Sequence, residues 1–257
     1  MKKTMEAVNY DNLWDFAFSN DKEIKGEVKG IVMELNHLYF QEMLIGAQNT
    51  MAVYTRSERC AEYINRSYKY AEEGIIFVLP YTNPWSWMND VTVDFCDRIL
   101  DVLIEKYNLK DPKIVVQGMS MGGGNTLAYC HLTKHKLCGA LSNCGVCDLW
   151  YHYSERQDLP RTILSPFGHY DCTLEEAVKT VSPIHNVDRM QRIPYLFFAN
   201  GGDSAVHKNA HADKMVPLMR EKGFDVEYIE NSNRGHVDLR PEQWDRYFSW
   251  GMECILK

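Results

Sequence analysis

Several features that would settle the reading at once are missing from this 257-residue chain. No window approaches ~20 consecutive apolar residues, the length a membrane-spanning helix needs, so no segment is expected to cross a bilayer. The lysines of Met1-Lys2-Lys3 are not followed by the apolar core of a secretory signal, because Glu6, Asn9, Asp11 and Asp15 interrupt that stretch. Positive charge is in deficit: 28 Lys and Arg against 35 Asp and Glu leave a net charge of −7. That balance disfavours nucleic acid or an anionic membrane surface as a partner. Repeats, low-complexity tracts and Pro/Gly/Ser linkers are also absent, so a domain boundary has nowhere obvious to fall. The eight cysteines contain one close pair, Cys144-Gly-Val-Cys147, and no second pair to complete a zinc site. Without a leader they are expected to be reduced thiols in a cytoplasm, this pair packed at a strand end.

What is present suits a folded globular domain. Hydrophobic residues make up 45% and charged residues 25%, which argues against disorder. A chain of this length buries roughly three quarters of its unfolded surface and needs no metal or disulfide for stability. Short apolar runs recur: Gly30–Leu35, Gly74–Pro80, Lys113–Gln117, Leu137–Ser142, Ile193–Ala199 and Phe224–Ile229. Most are unbroken rather than alternating, as in strands covered on both faces of a parallel sheet. Between them lie stretches with helical spacing. Cys60, Ile64 and Tyr68 recur within 55–73, and Phe95, Ile99 and Leu103 within 91–107; residues 207–222 end in a basic turn and a glycine. The alternation predicts an α/β fold, a mostly parallel sheet with helices on both faces, as one domain over residues 1–257. Residues 1–27 form an N-terminal extension, and the short runs near 24–29 are expected to add antiparallel edge strands. From about 149 to 181 no strand is evident, and Trp150, Tyr151, Tyr153, Phe167 and Tyr170 fall there. That stretch is expected to be a lid inserted over the C-terminal ends of the strands.

The strongest local signal is Gly118-Met119-Ser120-Met121-Gly122, entered by an apolar run and left by a helical stretch. Gly-x-Ser-x-Gly between strand and helix is a nucleophile elbow: the turn is sharp, and side chains at Gly118 or Gly122 would clash with it. Ser120 then projects above the sheet near a helix N-terminus that favours negative charge. Serine needs a general base, and the base needs an orienting acid. On this fold they follow in the order Ser, acid, His. Asp203 lies just past the run ending at Ala199, and His236 on the loop after the next helix and strand. These two are the acid and base expected. Asp238 and Glu230 flank His236 but lack the strand-end position. His207 and His211 share a helical face at i, i+4 and resemble a metal pair, yet no glutamate adjoins His207, so no metal role is assigned. His131 and His135 read as surface or packing residues, and histidines 152, 169 and 185 lie in or beside the lid.

At these residues the chain resembles the α/β-hydrolases, and within them the catalytic domains of the prolyl oligopeptidase group and their stand-alone esterase relatives. The likeness covers roughly residues 28–257. It rests on the serine elbow, Ser182-Pro-Ile-His-Asn-Val-Asp188 leading into Ile193-Pro194, Gly-Gly-Asp203-Ser-Ala-Val206, Lys222-Gly-Phe-Asp-Val-Glu-Tyr228 and Gly235-His236. The resemblance implies a Ser120–Asp203–His236 triad and acyl transfer through an acyl-enzyme, with no metal or organic cofactor. It departs from the family in two places. The group's peptidases carry a β-propeller before the catalytic domain, and about 30 residues here cannot supply one, which favours an esterase. The loop that usually reads His-Gly-Gly or His-Gly-x reads Asn36-His37-Leu38-Tyr39. The oxyanion hole needs one N–H from that loop and one from the residue after the nucleophile, which points to Leu38 and Met121, with His37 as the alternative.

A second cluster, Pro80-Tyr81-Thr-Asn-Pro84-Trp85-Ser-Trp87, follows another strand. Trp85 and Trp87, with Tyr39, either line a substrate pocket at the rim or pack against the lid. The function expected is hydrolysis of small or medium carboxylic esters. A small serine peptidase for short peptides and a non-catalytic α/β-hydrolase-like binding protein are the alternatives.

Overall fold

The computed structural model describes residues 7–38, 58–82 and 85–257. Among the described residues seven strands form one sheet: β1 (Ala17–Ser19), β2 (Gly30–Leu35), β3 (Ile75–Pro80), β4 (Ile114–Met119), β5 (Gly139–Asn143), β6 (Tyr195–Asn200) and β7 (Val226–Asn231). Their order is β1-β3-β2-β4-β5-β6-β7, with every pairing parallel except β1 on β3. The antiparallel edge strand is therefore Ala17–Ser19, not a segment at 24–29. Ala17, Phe18 and Ser19 are all buried, whereas Lys25, Gly26 and Glu27 are exposed and have no apolar side to lay against the sheet.

Alternate strand residues serve opposite faces, the period-2 rule of a pleated sheet. Ile31, Met33, Ile76, Val78, Ile114 and Val116 join one core. Helices α2 (Asp90–Tyr107), α3 (Met121–Leu132) and α7 (Ala212–Glu221) contribute Ile99, Leu103, Leu127, Met215 and Met219 to it. Phe95, the third residue of the spacing expected in α2, packs on the same core partly buried. On the other face Val32, Phe77, Val115, Leu196 and Phe198 meet Tyr70 of α1 (Glu58–Glu72) and Tyr247, Phe248, Trp250 and Ile255 of α8 (Pro241–Leu256). Each fully buried Leu or Ile contributes roughly 1.5–3 kcal/mol, so these two layers dominate the stability. In α1 the side chains of Cys60 and Ile64 lie outside the described residues; Tyr68, expected on the same face, is 44% exposed, and the buried positions include Tyr70 and Ala71. No periodicity marked α8 in advance, although it covers most of the second face.

Residues 149–181 form three helices, α4 (Leu149–His152), α5 (Leu159–Phe167) and α6 (Leu174–Val181), and no strand. Their apolar sides make a third cluster with Leu38, Trp87, Met121 and Val206, beyond the C-terminal ends of the central strands. Among the described residues no helix is long and apolar enough to cross a membrane.

The chain order places β2 between β3 and β4. Connections leave in opposite directions on either side of that junction, the switch point at whose C-terminal edge open α/β sheets generally hold their sites. Leu35 at the end of β2 stands in register with Gly118 at the end of β4. The nucleophile candidate thus sits at the switch point.

Candidate active site

Ser120 lies between β4 and α3 with φ 57° and ψ −124°. A non-glycine residue at positive φ is strained, and the cost is met by the packing around it. Gly118 and Gly122 make that packing feasible. A β-carbon on Gly118 would lie 2.6 Å from the Gly122 carbonyl carbon, and one on Gly122 would lie 2.1 Å from the Leu35 oxygen. The Ser120 amide donates to the Asn143 oxygen of neighbouring β5 at 2.9 Å, which fixes the turn to the sheet. Met121 is the first residue of α3, so its N–H has no helical carbonyl one turn back.

Asp203 follows β6. Its Oδ1 accepts the amides of Ala205 at 2.8 Å and Val206 at 2.9 Å, and its Oδ2 faces His236 Nδ1 at 2.7 Å. The side chain is 1% exposed. Burial alone would raise its pKa. The His236 hydrogen bond and charge, with the two amides, outweigh burial and hold the carboxyl below its usual value. An ionised carboxylate only accepts, so Nδ1 carries the proton and Nε2 is left to accept. His236 Nε2 stands 2.8 Å from Ser120 Oγ. The three residues expected from the sequence are thus brought into one hydrogen-bonded line.

The histidine loop is fastened to the strand ends by asparagines the sequence reading did not single out. Asn200 Nδ2 donates to the Gly235 oxygen at 2.6 Å and the Asp238 oxygen at 3.1 Å. Asn231 Nδ2 donates to Asn200 Oδ1 at 2.9 Å, and Asn143 Nδ2 to the Val237 oxygen at 3.4 Å. Val237 itself has φ 53°, a turn that aims His236 back over the sheet. Asn-Gly at the end of β6 is the one local sign of this role. The other asparagines find their partners only across the sheet.

Leu38 is buried and shares an apolar cluster with Met121. Tyr39 lies outside the described residues. Trp87 is 3% exposed, and its Nε1 donates to Thr162 Oγ1 of α5 at 3.3 Å. Of the two roles open to it, the ring packs against the inserted helices. Trp85 is half-buried, with the Arg161 guanidinium 5.6 Å from its ring centroid.

The other candidates fall elsewhere. Asp238 pairs with Arg234 at 3.1 Å and Glu230 with Lys208 at 3.2 Å. His131 Nε2 meets the Thr180 oxygen at 3.1 Å, and burial lowers its pKa. His169 faces Asp90 at 2.8 Å, and His185 faces Ser182 Oγ at 3.0 Å. Cys144 and Cys147 are buried free thiols. Burial, and for Cys144 the charge of Asp203, raises their pKa values, so both stay protonated. His207 and His211 do not share a helical face. Helix α7 begins at Ala212, and both histidines lie on the turn before it, facing Glu155 at 2.8 and 2.9 Å.

Among the described residues two clusters hold donor atoms close enough for a metal ion, Cys144–Asp203–His236 and His152–Glu155–His211. In the first, the Asp203–His236 hydrogen bond already occupies the atoms a metal would need. In the second, Glu155 Oε2 is engaged by His152 Nδ1 and His211 Nε2.

Residues 85–251 match the model of the prolyl oligopeptidase family. No curated protein matches the chain at a significant level. Among solved structures the chain is similar to a puromycin-hydrolysing peptidase of Mycobacterium tuberculosis, with 16% identity and a TM-score of 0.65 over 90% of this chain. It spans only about a third of that protein's length (35%). It is also similar to a lipase in its open form, with 13% identity and a TM-score of 0.62 over 93% of each chain. An esterase gives 12% identity and a TM-score of 0.54 over 90% of this chain and 95% of its own. At such identities these likenesses establish the α/β-hydrolase fold.

Proposed function

The chain belongs to the prolyl oligopeptidase family, and on that premise we propose that it hydrolyses carboxylic esters of small or medium size, with Ser120 as nucleophile, His236 as general base and Asp203 as its orienting acid. The observation that carries the reading is the unbroken line from Asp203 Oδ2 through His236 to Ser120 Oγ, at 2.7 and 2.8 Å.

The chemistry follows from that line. His236 Nε2 takes the Ser120 proton as Oγ attacks the ester carbonyl carbon, while Asp203 stabilises the imidazolium that forms. The carbonyl oxygen becomes an oxyanion, received by the Met121 N–H and the Leu38 N–H. His236 then protonates the departing alcohol, leaving an acyl group on Ser120. Water, deprotonated by the same imidazole, releases the acid and restores the serine. None of these steps requires a metal or organic cofactor. Trp85, half-buried beside the inserted helices, is the tryptophan we assign to the acyl group's border.

The likeness to a lipase and to an esterase supports the ester reading. The family model itself keeps a peptidase of short substrates as the second reading.

The test is a panel of p-nitrophenyl esters of graded acyl length beside aminoacyl p-nitroanilides, with wild type and Ser120→Ala. Ester turnover abolished by Ser120→Ala is expected. Preferential anilide cleavage selects the peptidase. No labelling of Ser120 by a fluorophosphonate rejects both enzymatic readings.

A further inference from the structure

Glu155 lies on the turn between α4 and α5, with its side chain 1% exposed and each carboxylate oxygen engaged twice. Oε1 accepts the His207 amide at 2.8 Å and meets His207 Nδ1 at 2.8 Å. Oε2 meets His152 Nδ1 at 2.5 Å and His211 Nε2 at 2.9 Å. Burial would push this carboxyl up. The hydrogen bonds from His152, His211 and the His207 amide outweigh burial and hold it well below the usual carboxylate range.

His211 settles what kind of site this is. Its Nδ1 accepts the amides of both Cys147 and Asp148, each at 3.2 Å. Two N–H donors on Nδ1 require that nitrogen to be bare, so Nε2 carries the proton and donates to Glu155. A metal-binding imidazole is the reverse: one nitrogen ligates and the other donates to an acceptor. His211 is therefore built to donate to a carboxylate rather than to ligate an ion.

The clasp grips the same turn that orients Asp203. Three consecutive amides are shared between two carboxylates: Ala205 and Val206 donate to Asp203 Oδ1, and His207 donates to Glu155 Oε1. Arg156, the next residue after Glu155, adds a bond from Nη1 to the Ala205 oxygen at 3.4 Å.

We propose that Glu155 is a positioning residue for the reaction, locking the Asp203 turn to the inserted helices through the amide and ring of His207 and the ring of His211. The inference rests on the reading of Asp203 as the acid of the triad. Both oxygens must accept, because the His207 amide and the His211 Nε2–H are fixed donors. An amide at position 155 turns an N–H₂ toward one of them, so glutamine does not substitute for glutamate.

The experiment compares wild type, Glu155→Gln, His207→Ala and Asp203→Asn in p-nitrophenyl ester hydrolysis, with thermal unfolding as the fold control. Glu155→Gln is expected to lower kcat by about 10- to 100-fold with KM changed by less than about twofold, the mark of a misaligned catalytic group. His207→Ala removes only the half-exposed ring contact and tolerates truncation; it is expected to lower kcat by about threefold. The far-downfield imidazole proton of the Asp203–His236 bond, assigned by its loss in Asp203→Asn, weakens or broadens in Glu155→Gln. An unchanged kcat and resonance in folded Glu155→Gln, or an unchanged kcat in His207→Ala should the former not fold, overturns the proposal. One divalent ion per chain in purified wild type, lost in His211→Ala, overturns it as well. Absence of Ser120-dependent turnover in wild type overturns the underlying function reading instead, and Asp203→Asn with wild-type kcat removes Asp203 from it.

Discussion

Gly122 passes so close to Leu35 that a β-carbon on the glycine would lie 2.1 Å from the Leu35 carbonyl oxygen. This contact joins the first turn of α3 to the end of β2, and so sets the proposed nucleophile, Ser120, against the loop proposed to complete the oxyanion hole. Gly122→Ala must therefore shift backbone against backbone. The variant is expected to lose about 2 kcal/mol of stability and about 100-fold in kcat. Thermal unfolding and ester turnover measure the two; wild-type values for both would mean that the elbow relaxes freely.

The geometry at Asp203 leads to a prediction about its amide. Asp203→Asn keeps the volume but presents a different donor pattern to His236 Nδ1, so the imidazole is held in the wrong tautomer. A loss in kcat of about 10⁴ is expected, with the fold retained. A loss under about tenfold would assign the acid to another residue.

The same carboxylate makes stability depend on pH. Its pKa in the fold is lowered below the unfolded value, near 3.9 for a free aspartate. Its contribution is fully present above that value and is lost as pH falls through the folded one. The difference in Tm between wild type and Asp203→Asn is expected to shift against wild type as the solution is acidified below about pH 4. A difference that does not change over that window would show that the carboxylate is unperturbed by its surroundings.

The two tryptophans of one loop are expected to part company. Trp87 is 3% exposed and bonded to Thr162, so Trp87→Ala leaves a cavity under the inserted helices and costs about 3–5 kcal/mol. Trp85→Ala is expected to leave Tm nearly unchanged and to raise KM for esters of longer acyl chains. Equal effects of the two substitutions on KM would contradict this division.

Much of the fold was legible because its signals are local. Unbroken apolar runs such as Ile75–Pro80 and Ile114–Met119 announce strands covered on both faces, and Gly118 and Gly122 around Ser120 announce a turn too tight for side chains. Edges and ends were less clear. Ala17–Ser19 is too short to show a period, and the spacing that placed His207 and His211 on a helix stops one residue before the helix begins. Tyr68, expected on the apolar face of α1, is exposed for a related reason: tyrosine suits either surface or core, and neighbouring elements decide which.

The sequence by itself determined an α/β chain and named Ser120, Asp203 and His236 as candidates, because the proposed nucleophile, acid and base each follow a recognisable strand. Tertiary structure alone decided how they are held. Asn143, Asn200 and Asn231 tie the histidine loop down, and Glu155 reaches 52 positions along the chain to the His207 amide. A buried polar side chain takes its role from whichever donor the fold brings within hydrogen-bond distance, and no local pattern in the chain records that distance.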